Sequence, residues 1–247
     1  MSSHPKILTI AGFDPCGGAG VLADIKTIEA NKCLGMAVIT ANTIQNECEF
    51  LNPNWVDEKI IFEQLDCLLK KHQFNVVKIG LIPSFEFILK ISSKLRENNP
   101  LVKIIWDPIL SATAGFNFHK NTVDLEPVLK HVFLITPNWD EVKILSANKD
   151  AIEGAKTLAK YTTVYLKGGH SDKPGKDYLF YKGKVYPFNP KNKKTIYPKH
   201  GSGCVFSSAL SAHLAKNYPI IKACLNSKRY VEHYLSSTKD LIGYHKI

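Results

Sequence analysis

The chain has 247 residues, 45% hydrophobic and 22% charged, which excludes a disordered or fibrous protein and suffices for one large core. No apolar run reaches the roughly 18 residues of a membrane span, and a formal net charge of +10 leaves a basic surface able to attract anions. No helix-turn-helix, zinc-finger or RNP-like pattern accompanies that charge, so nucleic acid is not the expected partner.

In chain order, short Val-, Ile- and Thr-rich runs predict strands at 6–11, 36–44, 75–80, 103–107, 133–136 and 163–167. Helices are predicted near 20–31, 57–71, 84–97, 121–130, 139–146 and 151–160. DYLFY (177–181) and KVYPF (184–188) flank Lys182-Gly183 and read as a hairpin, and helices over 203–217 and 220–239 close the chain. The alternation predicts an α/β fold with a mostly parallel sheet and helices on both faces. No internal repeat or long linker divides it, so residues 1–247 are expected to form a single domain. The start, MSSHPKILTIAG, has no signal-peptide pattern, and six cysteines lack CxxC or zinc-site spacing. A cytosolic protein with free thiols is the expectation.

Polar and glycine residues gather where the predicted strands end, which in open α/β sheets is where ligands bind. GFDPCGGAGVLADIK (12–26) is a glycine-rich strand-to-helix turn, though neither a Walker A loop nor a GxGxxG fingerprint. Asp24 there suits either the helix dipole or a ligand. WDP (106–108) and TPNWDE (136–141) bring Asp107, Asn138 and Glu141 to strand ends, as helix caps or as oxygen donors to magnesium held through water. In KGGH (167–170), Lys167 can reach a phosphate or point into solvent. HGSGC (200–204) opens a helix whose first N–H groups have no intrahelical partners and make an anion site. In that positive field Cys204 is expected to have a lowered pKa and to accept a proton from a substrate alcohol. Otherwise it is a small buried residue.

Taken together, TIAGFDPCGGAGVLADIKT (9–27), GMAVITANTIQN (35–46), VKIGLI (77–82), WDPIL (106–110), ITPNWDE (135–141), LKGGH (166–170) and HGSGC (200–204) resemble the hydroxymethylpyrimidine/phosphomethylpyrimidine kinases of thiamine biosynthesis, within the ribokinase-like superfamily. The resemblance covers nearly the whole chain. It implies a three-layer ribokinase-like fold and ATP- and Mg2+-dependent phosphorylation of 4-amino-5-hydroxymethyl-2-methylpyrimidine, then of its monophosphate. By position it implies Cys204 as the proton acceptor and Gly201, Ser202 and Gly203 as the anion hole. Gln45 would bind the aminopyrimidine, with Gly12, Ala19, Asp24 and Leu81 around it. Asn138, Lys167 and Ser202 would lie on the nucleotide side, and Asp107 and Glu141 at the metal. Small-molecule partners are implied, and a homodimer as in related kinases.

The chain departs from the family in four places. SATAGFNF (111–118) lacks the lysine of many members, which bears on the second phosphorylation. GYHKI (243–247) is shorter than the usual tail. Phe13 and Cys16 stand where small polar residues are frequent. Two other readings stay open: a pyridoxal or pyridoxine kinase, and a non-catalytic pyrimidine-binding protein.

Overall fold

A computed structural model describes residues 4–110, 125–169, 175–191 and 195–245. Its elements are β1 (Lys6–Phe13), α1 (Gly20–Ala30), β2 (Leu34–Gln45), β3 (Phe50–Trp55), α2 (Glu58–Leu69), β4 (Val76–Ile79), α3 (Phe85–Asn98), β5 (Lys103–Trp106), α4 (Glu126–His131), β6 (Leu134–Ile135), α5 (Trp139–Ser146), α6 (Ala151–Leu158), β7 (Thr163–Leu166), β8 (Asp177–Tyr181), β9 (Lys184–Phe188), α7 (Ser202–Ala215) and α8 (Ile220–Leu235). They form one sheet in the order β3-β2-β1-β4-β5-β6-β7-β8-β9. β2, β1, β4, β5, β6 and β7 run parallel, and β3, β8 and β9 pair antiparallel at the two ends. The chain reverses its direction of travel across the sheet between β1 and β4. That switch point opens a crevice at the carboxyl ends of these strands.

Strand alternation divides the core into two layers. Leu8, Ile10, Val77, Ile79, Ile104 and Trp106 face α2–α6, and Ile7, Val76 and Ile105 face the side of α1, α7 and α8. The expected α/β three-layer fold is what the chain forms. α7 is buried on every side from Cys204 to Leu214, as a helix lying between a sheet and two other helices must be.

β3 was not expected from the sequence. FLNPNW carries Pro53 and two asparagines, which argue against a strand, yet it pairs with β2 alone at the sheet edge, where a proline is tolerated. The predicted hairpin forms, and both turn residues, Lys182 and Gly183, have positive φ, as a two-residue connection requires. α8 stops at Leu235, four residues earlier than expected, because the Ser236 and Ser237 hydroxyls take up the His233 and Tyr234 carbonyls. α4 starts at Glu126 and overlaps the predicted 121–130 helix, whereas residues 111–124, which include the SATAGFNF stretch and the first part of that predicted helix, lie outside the described residues.

One charged pair is sealed inside this frame. Lys78 of β4 lies on the α7 side of the sheet, and its Nζ donates to both Asp24 oxygens at 3.0 and 2.8 Å. Both side chains are wholly inaccessible to solvent. Thr9 Oγ1 donates to Asp24 Oδ2 at 2.6 Å and Ser208 Oγ to Oδ1 at 2.7 Å, so β1, β4, α1 and α7 meet on one carboxylate. Burial pulls the Lys78 ammonium down, and Asp24, Cys204 and Asp107 together more than offset it, so the pKa is raised. Removing one partner leaves a buried charge alone. Lys78→Met is expected to lower unfolding free energy by about 3–5 kcal/mol in urea denaturation. Near wild-type stability would remove the pair from its structural role.

Candidate active site

The N-termini of α1 and α7 converge. Gly201, the N-cap of α7, has φ +71°, and a Cβ there would overlap the Gly18 carbonyl oxygen just before α1. Gly20, with φ +58°, approaches the Gly12 carbonyl too closely to carry a side chain. Both glycines are therefore required by backbone approach. Asp57, Ser84, Asn138 and Asp150 cap α2, α3, α5 and α6, whereas α1 and α7 have neither a side-chain cap nor an acid in the first turn. Two uncapped helix starts leave N–H donors and two dipoles aimed at one place, an arrangement suited to an anion.

Cys204 lies there, 5% exposed, with the Gly20 N–H directed at its sulfur. The expected lowering of its pKa is not found. Burial pushes the thiol up to about 11, against the opposing pull of Lys78, while Asp107 and Asp24 raise it further. Desolvation of a thiolate here outweighs the helix field.

A second charged group adjoins the turn. Lys167 Nζ donates to Asp107 Oδ1 at 2.8 Å and lies 3.9 Å from Glu141 Oε2. A Cβ on Gly203 would come within 3.0 Å of that ammonium, so the glycine lets the charge approach the start of α7. Thr136 and Ser207 hydroxyls also donate to Asp107, at 2.9 and 3.2 Å. Burial opposes ionisation of Asp107, but Lys167 and Lys78 hold its carboxyl below the usual range. Burial pushes Glu141 up to about 7, with Asp107 adding to the rise and Lys167 opposing it. Asn138 is a true cap: its Oδ1 accepts from the Asp140 and Glu141 N–H groups, and its own N–H donates to Glu141 Oε2 at 2.7 Å. The Asp107 and Glu141 oxygens fit a hard cation, and because Asp107 is already hydrogen-bonded through both oxygens, they fit it through water.

At the β1–β2–β4 end, a Cβ on Gly12 would lie 3.0 Å from Leu81 and 3.6 Å from Thr43, so these three line one wall. Gln45 Nε2 donates to Thr43 Oγ1 at 2.8 Å, and Thr43 donates to the Phe13 carbonyl at 2.8 Å. Ala19 is the N-cap of α1, and Ser202 is the first residue of α7. Asp24 is not brought into the cleft, since it lies beneath the floor with its oxygens on Lys78, Thr9 and Ser208. His170 is outside the described residues. A shallow basic cleft lined by Arg96, Lys103, Phe133, Lys160, Tyr161 and Lys182 opens at the amino ends of the strands, away from all these groups.

A family model described as phosphomethylpyrimidine kinase matches residues 14–246. The chain belongs to the phosphomethylpyrimidine kinase family. It is 33% identical over 262 residues to the hydroxymethylpyrimidine/phosphomethylpyrimidine kinase of Staphylococcus aureus, covering 96% of this chain and 90% of that protein. It is 34% identical over 251 residues to the hydroxymethylpyrimidine/phosphomethylpyrimidine kinase of Saccharomyces cerevisiae, covering 92% of this chain but 45% of that protein. The chain thus spans less than half the length of the yeast relative. Pyridoxal kinase of Bacillus subtilis, solved as an ADP complex, superposes with a TM-score of 0.81 at 27% identity, over 95% of this chain and 92% of that one.

Within this phosphomethylpyrimidine kinase fold, sequence reasoning assigned no role to Lys78, Asp14, His200, Thr136 or Ser207. For Lys78 the signal is present, since a lysine inside the apolar run NVVKIG needs a buried counter-charge. His200 Nε2 bonds Asp14 Oδ2 at 2.9 Å and joins the two glycine turns. Lys199 Nζ donates to the Thr238 and Asp240 carbonyls, and the His200 N–H to the Leu241 carbonyl, so the tail braces the HGSGC turn.

Glu141 binds its proton more tightly folded than unfolded, so its stabilising contribution is full below about pH 4.5 and is lost as pH rises through about 7. His213 and His245, held down to about 4 by burial, push the opposite way below their ordinary 6.5. The Glu141 contribution is therefore read as a difference. Stability of Glu141→Gln minus wild type, from urea melts of ligand-free protein, should increase between pH 5 and pH 7.5. A pH-independent difference would show that Glu141 titrates normally.

Proposed function

We propose that the chain transfers the γ-phosphate of ATP to the hydroxymethyl oxygen of 4-amino-5-hydroxymethyl-2-methylpyrimidine, and then a second phosphate to the monophosphate. The observation that carries this reading is the pair of uncapped helix N-termini meeting at Cys204, beside Lys167 and Asp107. Family membership supplies the substrate class. The ADP complex of the B. subtilis pyridoxal kinase supports a nucleotide on this fold.

In the proposed reaction, the N–H groups of the 201–204 turn hold the transferring phosphoryl oxygens as charge builds on them. Lys167 neutralises a phosphate oxygen. Cys204 Sγ accepts the hydroxymethyl proton as the substrate oxygen bonds to phosphorus and the bond to the β-phosphate bridging oxygen breaks, releasing ADP. Asp107 and Glu141 would hold Mg2+ through its water shell, and the ion would supply charge neutralisation of the phosphates. Gly12, Leu81 and Thr43 would flank the ring, and the Gln45 carboxamide can both donate to and accept from an aminopyrimidine edge. The reading places the enzyme in the cytosol, where its six free cysteines remain reduced.

A thiol near 11 is thiolate in only a small fraction of molecules at neutral pH. The wild-type kcat/KM should therefore climb about tenfold per pH unit between pH 7 and pH 9, because it reports the base in the free enzyme. Cys204→Ala should lose that slope and at least ~100-fold in turnover while ATP still binds. Turnover near wild type in the variant would dismiss Cys204 as the base.

The likeness to pyridoxal kinase favours a second reading, phosphorylation of pyridoxal. Mass spectrometry of products from one reaction holding ATP, Mg2+, the hydroxymethylpyrimidine and pyridoxal separates the two. Two successive phosphate shifts on the pyrimidine are expected. A shift on pyridoxal alone would replace the proposed substrate, and one shift on the pyrimidine would confine the chain to the first step.

A further inference from the structure

Asp14, Cys16 and His200 meet at the rim of the two glycine turns and take no part in the proposed transfer. Asp14 Oδ2 accepts hydrogen bonds from His200 Nε2 at 2.9 Å, Cys16 Sγ at 3.2 Å and the Ala19 N–H at 2.8 Å. Its other oxygen accepts from the Cys16 N–H at 3.0 Å. One sulfur, one nitrogen and one oxygen able to bind metal lie within 4.8 Å of one another, and among the described residues no other trio of His, Cys, Asp and Glu does so.

We propose that Asp14, Cys16 and His200 form a binding site for a thiophilic divalent cation, zinc by its donor set, separate from the oxygen donors Asp107 and Glu141. Charge favours it. A divalent ion with one thiolate, one carboxylate and one neutral imidazole is a neutral unit, which suits a site where Asp14 is 1% and His200 7% exposed. Geometry needs little change. Tetrahedral zinc, with bonds of about 2.0–2.3 Å, separates its ligands by roughly 3.4–3.6 Å; the Asp14–His200 and Asp14–Cys16 spacings of 2.9 and 3.2 Å must open by up to about half an ångström, and the third spacing is already within 4.8 Å. The ion replaces the Cys16 thiol proton and the proton on His200 Nε2, the first leaving to solvent and the second moving to Nδ1. Cys16 is partly exposed and gives an entry path and a place for a water as fourth ligand. Sulfur and imidazole select against Mg2+. Among the described residues His200 Nδ1 has no hydrogen-bond partner, so the imidazole lacks the usual outer support, which should weaken the site about 10–100-fold relative to a fully braced one. Occupancy would tie the turn before α1 to the segment before α7, the two segments that set the anion hole.

The test is a cobalt titration of the metal-stripped full chain under anaerobic conditions. We expect an ultraviolet thiolate-to-cobalt band that saturates at one equivalent, disappears when one equivalent of Zn2+ is added and is unmoved by a large excess of Mg2+. Cys16→Ser should abolish the band, Cys204→Ser should keep it, and His200→Gln should weaken cobalt binding at least about tenfold. Circular dichroism of Cys16→Ser, a near-isosteric change, checks that folding is intact. No band in the wild type, a band that survives Cys16→Ser, or one lost only in Cys204→Ser would overturn the site.

Discussion

Asp24 has no path to water, and four elements of the fold end on it. Lys78 supplies the counter-charge from β4, and Thr9 and Ser208 fill the remaining acceptor capacity from β1 and α7. A buried pair of this kind adds little net stability compared with apolar packing, because desolvating both charges offsets their attraction. Its effect is positional. The carboxylate is satisfied only when α1 and α7 stand at one height against β1 and β4, and that height brings Gly20 against Gly12 and Gly201 against Gly18. A second carboxylate does the same on the other side. Asp107 gathers Lys167, Thr136 and Ser207, fixing α7 to the ends of β5, β6 and β7. Ser207 and Ser208 are adjacent, so consecutive residues of one helix are tied to two different anions. The turn carrying Cys204 is held from both sides.

The electrostatics of the site follow from this construction. Two helix N-termini, Lys78 and Lys167 are positive, Asp24 and Asp107 are buried among them, and Glu141, pushed up to about 7 by burial, is only partly ionised at neutral pH. The positive field that the sequence suggested for Cys204 is present, but it is largely spent on carboxylates, and burial of the sulfur decides its pKa. Helix dipoles act most strongly on an ion that has no other partner. An incoming phosphate would be such an ion, which explains why the same turn can suit an anion and yet leave a thiol protonated.

The parallel core strands were legible because their runs are apolar on both faces, and the cleft because polar residues cluster at strand ends 12–14, 45–46, 107, 138 and 167–169. β3 was hidden because edge pairing, rather than composition, makes FLNPNW a strand. Asp24 was legible as a special residue but not as a structural one, since only the fold reveals that Lys78, 54 positions later, reaches it. Asn138 shows both readings at once: its side chain is a cap, and the cap holds Glu141 beside Lys167. The thiol pKa was misread for a physical reason, because burial depth is a property of packing that local sequence does not carry.

The two ends of the cleft are built by different parts of the chain. Gly12, Thr43, Gln45 and Leu81 belong to β1, β2 and the segment after β4, whereas Asp107, Asn138, Glu141 and Lys167 belong to the ends of β5 to β7 and the start of α5. The starts of α1 and α7 lie between them, Gly20 against Gly12 and Gly203 beside Lys167. Under the proposed reading, a substitution at Gln45 or Leu81 acts at the first end and leaves Asp107, Lys167 and the 201–204 turn in place. Phe13 bears on the first end through its backbone: its carbonyl accepts from the Thr43 hydroxyl, which in turn accepts from Gln45 Nε2, so the position of the carboxamide is tied to β1.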